Sequence, residues 1–180
     1  MQMTQLRKVI PDANHITKYL FIAILLMSYS ALGHDRPFSE QAAIATYLLN
    51  KEEALDRVVI RDSIKINYGD VNYDDTNDIV LIYTLAMNGE NGNFSSTFIG
   101  VFTASDKTSS YEFIDDIEVG SKTSRAVVFN SIKNGMITID TIFMSRNESG
   151  DWDAFCCLSG EGTAYYTLSD NKLVELNTSP

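Results

Sequence analysis

Ala126-Val127-Val128-Phe129-Asn130-Ser131-Ile132-Lys133-Asn134-Gly135-Met136-Ile137-Thr138-Ile139 is the stretch that decides the fold. Two runs rich in β-branched and aromatic residues flank an Asn-Gly pair, and both residues of that pair accept the positive φ angles of a tight hairpin turn. A connection this short forces antiparallel pairing, because a parallel neighbour needs a crossover of a dozen or more residues. The same logic extends in both directions. Ile64, Ile66 and Tyr68 alternate with polar residues, and runs near 78–87, 96–104, 110–119, 124–133, 136–144, 163–169 and 172–176 have strand composition. Between them lie Asn88-Gly89-Glu90-Asn91-Gly92, Gly120-Ser121 and Asp170-Asn171, all with turn chemistry. Upstream the period lengthens. Ser39 can cap a helix over about 40–56, with Ala43, Ile44, Tyr47, Leu48, Lys51, Ala54, Leu55 and Val58 at a roughly three-to-four residue spacing that puts the apolar members on one face. The expected class is α+β and mainly β: an antiparallel meander sheet or small sandwich with one N-terminal helix.

The 180 residues, 44% apolar with nine Tyr, nine Phe and one Trp, suffice for one packed domain. Residues 19–32 carry no charge, follow Arg7, Lys8 and Lys18, and end in Ala31-Leu32-Gly33. Fourteen uncharged residues are short of the roughly 20 that span a bilayer. The expectation is a signal peptide, 1–33, with cleavage before His34 and a single acidic domain over 34–180; an uncleaved anchor is the alternative. The expected location is periplasmic or secreted.

The chain has 14 Lys+Arg against 24 Asp+Glu, a net charge of −10. Removing 1–33 takes away three bases and one acid and leaves −12 on 147 residues. Such a charge argues against nucleic acid and against membrane attachment after cleavage, and it favours divalent cations and basic protein surfaces. His15 and His34 are the only histidines, so Ser-His-Asp and Cys-His catalysis and histidine-built zinc sites are disfavoured. Glu112, Asp115, Asp116 and Glu118 are a carboxylate cluster that reads as a solvated acidic strand face. Sequons at Asn93, Asn147 and Asn177 carry no information beyond export.

Gly69-Asp70-Val71-Asn72-Tyr73-Asp74-Asp75-Thr76-Asn77-Asp78 runs into the apolar Ile79-Val80-Leu81-Ile82-Tyr83. Oxygen-bearing side chains fall at positions 1, 3, 5 and 9, a spacing that can aim several oxygens at one hard cation. Position 12 is Leu81 rather than Glu, so the loop is not an EF-hand. It resembles the loop of FG-GAP or VCBS repeats, Asp-x-Asp/Asn-x-Asp-Gly-x-x-Asp before a hydrophobic strand. The resemblance implies calcium held by Asp70, Asn72, Asp74 and Asp78, with Asp75 making a left-handed turn where the repeats carry Gly. It covers one loop and one strand, so no propeller fold is carried over. A turn whose side chains bond its own amides is the other reading.

Both cysteines lie in Asp153-Ala154-Phe155-Cys156-Cys157-Leu158-Ser159. Adjacent Cα atoms are about 3.8 Å apart, below the usual span of a disulfide, so a Cys156–Cys157 bridge would be strained; packed or free thiols and a bridge to another chain stay open. The segment is similar to an Asp-Ala-x-Cys-Cys-Pro-Ser stretch of small uncharacterised exported bacterial proteins, with Leu158 in place of Pro. Asp151, Trp152, Asp153 and Phe155 are candidate partner contacts, an aromatic pair set among acids, whereas Phe143 and at least one of Tyr165 and Tyr166 are expected in the core. The functional expectation is a non-catalytic exported binding domain, an immunity protein or an inhibitor of a periplasmic enzyme. The rival is a small carboxylate-dependent hydrolase or sugar-binding accessory domain.

Overall fold

The computed structural model describes residues 38–87, 94–105, 110–122, 124–146, 150–151 and 158–176. The chain divides into two compact units, 1–46 and 47–180. In the first, the described residues 38–46 are helical, the opening half of α1 (Phe38–Leu55). This helix starts two residues before the position at which Ser39 would cap it. Asp56 stops it with a φ of 49°, a left-handed conformation that a helix cannot continue through. Val58 therefore belongs to a strand, not to the helical stripe.

The second unit holds the end of α1 and eight strands: β1 (Arg57–Gly69), β2 (Asp78–Met87), β3 (Ser95–Ser105), β4 (Ser110–Ser121), β5 (Arg125–Lys133), β6 (Met136–Phe143), β7 (Gly160–Ser169) and β8 (Lys172–Leu176). They form one sheet in sequence order, every neighbour antiparallel, so the meander is the fold. Two of the expected turns have the backbone that their residues favour, Asn134 and Gly135 at φ 49° and 66° and Asp170 and Asn171 at 51° and 59°, whereas Gly120 and Ser121 are the last residues of β4 rather than a turn, and 88–92 lies outside the described residues.

Along β2 nearly every side chain is buried, because the strand packs on both faces. Val80 and Ile82 enter a core with Val71, Ile99, Val101 and Val119 on one side and Ile137, Ile139, Ala164, Tyr166 and Leu173 on the other. That core takes residues from β2–β4 and from β6–β8, so the inner faces of the two halves of the sheet share it. Tyr83, at the opposite parity, meets Tyr47 of α1 edge-on at 5.8 Å and stacks on Phe98 at 5.5 Å. The halves meet at a corner where β4 and β5 share a single paired position, Ser121 with Arg125. Gly120 is required there, since a Cβ would collide with the Arg125 carbonyl oxygen.

The first strand begins earlier than its alternation announces. Its register with β2 breaks between Ile60 and Lys65, and the chain bulges outward. Ser63 substitutes for a missing ladder partner: its hydroxyl donates to the Ile60 carbonyl at 2.6 Å and accepts the Thr84 N–H at 2.8 Å. Tyr166 is in the core, as expected for one of the two tyrosines, and Tyr165 is half-buried. Phe143 is not in the core. Its ring covers the backbone of its partner Gly160 and of Gly162 while remaining 37% exposed.

Candidate functional site

The aspartate loop joins β1 to β2, and Asp70 organises it. Its Oδ1 accepts the N–H groups of Asn72 (3.2 Å), Tyr73 (2.7 Å) and Asp74 (3.3 Å), and its Oδ2 accepts that of Asp75 (3.1 Å). Asn72 accepts from the Asp74 N–H at 3.1 Å and donates its amide to Asp74 at 2.8 Å, and Asp74 accepts from the Thr76 N–H at 2.8 Å. These bonds, the Asn72 amide foremost and then the Thr76 N–H, hold the Asp74 carboxyl below the usual carboxylate range. Tyr73 and Asp75 adopt φ of 65° and 61°, so the left-handed turn does fall on Asp75. Tyr73 fastens the loop outward. Its hydroxyl donates to the Asn134 carbonyl at 2.5 Å, and its ring lies where a Cβ on Gly135 would be.

Asp78 differs from the other three. It is fully buried, and its two oxygens accept the N–H groups of Val71 and Ala104, each at 3.0 Å. Burial pushes its carboxyl up; the two amide bonds pull the other way, and the charges of Asp74 and Asp70 add to the rise. Asp70, Asn72 and Asp74 are thus joined in one network in the loop, while Asp78 ties the loop's base to the end of β3. Among the described residues no group of three or more His, Cys, Asp or Glu is arranged to hold a metal ion.

Trp152, Asp153, Phe155, Cys156 and Cys157 lie outside the described residues, and Asp151 is exposed. Residues 1–33, the expected signal peptide, lie outside them as well. Among the described residues no helix is long and apolar enough to cross a membrane.

The carboxylate cluster on β4 is not a uniform solvated face. Asp115 and Asp116 point to opposite sides of the strand and both act as fasteners. Asp115 accepts the Leu173 N–H of β8 at 2.8 Å. Asp116 receives the Tyr47 hydroxyl at 2.7 Å and, through both oxygens, the Lys51 ammonium at 2.6 and 2.7 Å. The Tyr47 hydroxyl also lies 2.7 Å from that of Tyr83, and Lys51 sits 5.3 Å from the centre of the Phe98 ring. Burial, before any neighbouring charge, raises both phenols, which therefore stay protonated and serve as hydrogen-bond groups. Glu112 and Glu118 remain exposed.

A second polar cluster closes the β4–β5 corner. Arg125 donates to the Val119 carbonyl (2.6 Å), to both oxygens of Glu175 (2.8 and 3.2 Å) and to the Tyr166 hydroxyl (2.8 Å). The bonds from Arg125 hold Glu175 below the usual carboxylate range against its own desolvation. Neither cluster was legible from spacing, since Lys51 and Asp116 are 65 positions apart and Arg125 and Glu175 are 50 apart. Compared with known proteins, the chain matches no family model, no curated sequence and no solved structure.

Proposed function

We propose that this protein is a non-catalytic exported binding domain, an immunity protein or inhibitor whose partner is a periplasmic enzyme with a basic surface. The observation that carries the reading is charge: 24 acids against 14 bases, rising to −12 net when residues 1–33 are removed. Asp62, Asp75, Glu112, Glu118, Glu161 and Asp170 are exposed, and their side chains meet no partner among the described residues. A field of that sign accelerates encounter with a basic protein and weakens as salt screens it. Asp151, Trp152, Asp153 and Phe155 are the proposed contact residues, because an aromatic anchor beside acids suits a basic partner. The experiment is a pull-down from periplasmic extract with the protein as bait. Recovery of one stoichiometric basic enzyme, lost as salt rises and inhibited when bound, supports the reading. Release of product from glycans by the protein alone overturns it in favour of a carboxylate-dependent hydrolase.

Calcium at the loop is a second proposal. It is supported by the hard oxygens of Asp70, Asn72 and Asp74 and by the left-handed turn at Asp75 where the resembling repeats carry Gly. Calcium bound only by the folded state raises stability by RT ln(1 + [L]/Kd), about 2.7 kcal/mol at a hundredfold excess. The melting temperature should rise in millimolar calcium and fall back with EDTA, and Asp74→Asn should remove most of the increment. No response to either reagent leaves a self-bonded polar turn.

A further inference from the structure

The Asn134-Gly135 turn carries a chemistry of its own. An asparagine followed by glycine is the pairing most prone to lose its side-chain amide, because no Cβ on the second residue hinders its backbone nitrogen. In that reaction the Gly135 nitrogen gives up its proton and bonds to Asn134 Cγ, and the Cγ–Nδ2 bond breaks to release ammonia. The product is a five-membered succinimide, which water opens at either carbonyl to leave aspartate or isoaspartate at position 134. Asn134 is exposed, so water reaches it, whereas Gly135 is buried.

Tyr73 of the aspartate loop, 61 positions upstream of Asn134, restrains this turn twice. Its ring occupies the place of a Cβ on Gly135, and its hydroxyl donates to the Asn134 carbonyl oxygen at 2.5 Å. That oxygen and the Gly135 nitrogen belong to one planar peptide unit, so neither moves without the other. Ring closure turns the Asn134 Cα–C bond until the nitrogen eclipses Cβ, far from the ψ of about +47° that accompanies a left-handed φ such as the 49° of Asn134. The same rotation carries the carbonyl oxygen away from Tyr73.

We propose that Asn134 is a deamidation site whose rate is set by Tyr73, so that the aspartate loop and the β5–β6 turn guard one another. The ladder pair Lys133–Met136 closes the turn locally, and Tyr73 adds a restraint from outside the hairpin that must let go before the peptide plane rotates. Tyr73 is itself 70% exposed, so little besides these contacts holds it. Either product places a new carboxylate beside the loop that carries Asp70, Asp74 and Asp75. Isoaspartate also lengthens the backbone by a methylene, which moves the carbonyl that Tyr73 grips. Conversion therefore releases the loop, and refolding does not undo it.

The test incubates the folded full chain at mildly alkaline pH and follows position 134 by peptide mapping, which separates asparagine, aspartate and isoaspartate, with circular dichroism as a check of folding. The wild type should convert more slowly when folded than in urea. Tyr73→Ala should accelerate conversion in the folded chain on the order of fivefold, the factor that one net hydrogen bond represents. Tyr73→Phe keeps the ring and should fall between the two. Arg125→Met loosens the β4–β5 corner instead and should leave the wild-type rate unchanged. A folded Tyr73→Ala variant that converts no faster than wild type overturns the proposal. So does an Arg125→Met variant that accelerates conversion as much as Tyr73→Ala, since the reaction would then run through global unfolding. No ligand or partner enters the measurement, so the outcome is separate from that of the binding function.

Discussion

The two halves of the sheet are both antiparallel but are covered differently. β2, in the first half, packs against α1 through Tyr83 and against the shared core through Val80 and Ile82. It reads as an unbroken apolar run, Ile79 to Tyr83. β6, in the second half, buries Ile137, Ile139 and Thr141 and exposes Asp140 and Ile142, so it reads as alternation. Strand sequence thus reports how many faces are covered, not only that a strand exists. The same difference separates the polar groups. Those of the first half, Tyr47, Tyr83 and Asp116, are enclosed and mutually bonded, whereas Lys133, Asp140, Glu161 and Lys172 of the second half are exposed.

Truncation is the sharpest way to break this comparison. Leu81→Ala, in a fully buried position of β2, is expected to cost about 2–5 kcal/mol, while Val128→Ala on the outer face of β5 should change monomer stability by under about 0.5 kcal/mol. Urea denaturation of both variants at low protein concentration measures the gap. Equal costs would mean that the outer face is packed too.

The polar anchors come next, one at the base of the aspartate loop and one at the corner between the halves. Asp78→Asn keeps shape but offers one carbonyl oxygen and an NH2 group to two backbone donors, the Val71 and Ala104 N–H groups. One donor loses its acceptor, and a cost of about 1–3 kcal/mol is expected by denaturation even though a buried charge is removed. Arg125→Met should cost less, about 1–2 kcal/mol at neutral pH, because Glu175 is partly solvated and can turn to water.

The smallest effect is in the pH dependence of that last variant. Glu175 is lowered from 4.5 in the folded protein, so its stabilising contribution is present above 4.5 and disappears as pH falls through the lowered value. Asp78 is raised from 3.8, so the fold takes up its proton first and gains stability as pH falls from that raised value toward 3.8. The difference between wild type and Arg125→Met should consequently shrink as pH falls below 4.5 toward the lowered value at which Glu175 protonates in the wild type. Urea midpoints at pH 7 and pH 3.5 measure it. A difference that does not shrink assigns the effect to the Val119 and Tyr166 bonds.

Local chemistry in the sequence carried most of the fold. Asn134-Gly135 and Asp170-Asn171 specify their turns by backbone preference, and β3 to β8 follow because each strand pairs with its chain neighbour. The opening of β1 was not legible, since Val58 also fits the spacing of the preceding helix and the bulge at Ser63 breaks the alternation. The candidate loop was legible in place and in the left-handed turn at Asp75. The inward aim of Asp78 was not, because its amide partner at Ala104 is 26 residues away. Asp115 and Asp116 read as surface residues for the same reason. Pairing across the core leaves no periodic trace in a sequence.

Strict neighbour order in the meander also has a kinetic consequence. Each ladder closes by joining segments adjacent in the chain, so the entropy lost before a strand pair forms is small, and folding should be fast for a protein this rich in β-structure. Contacts that span the chain, Tyr47 to Asp116 and Arg125 to Glu175, can form only after the hairpins exist. A chevron plot should place the Gly135→Ala effect on the refolding arm and that of Arg125→Met on the unfolding arm. The corner would then set the lifetime of the native state, and the turns the speed at which it is reached.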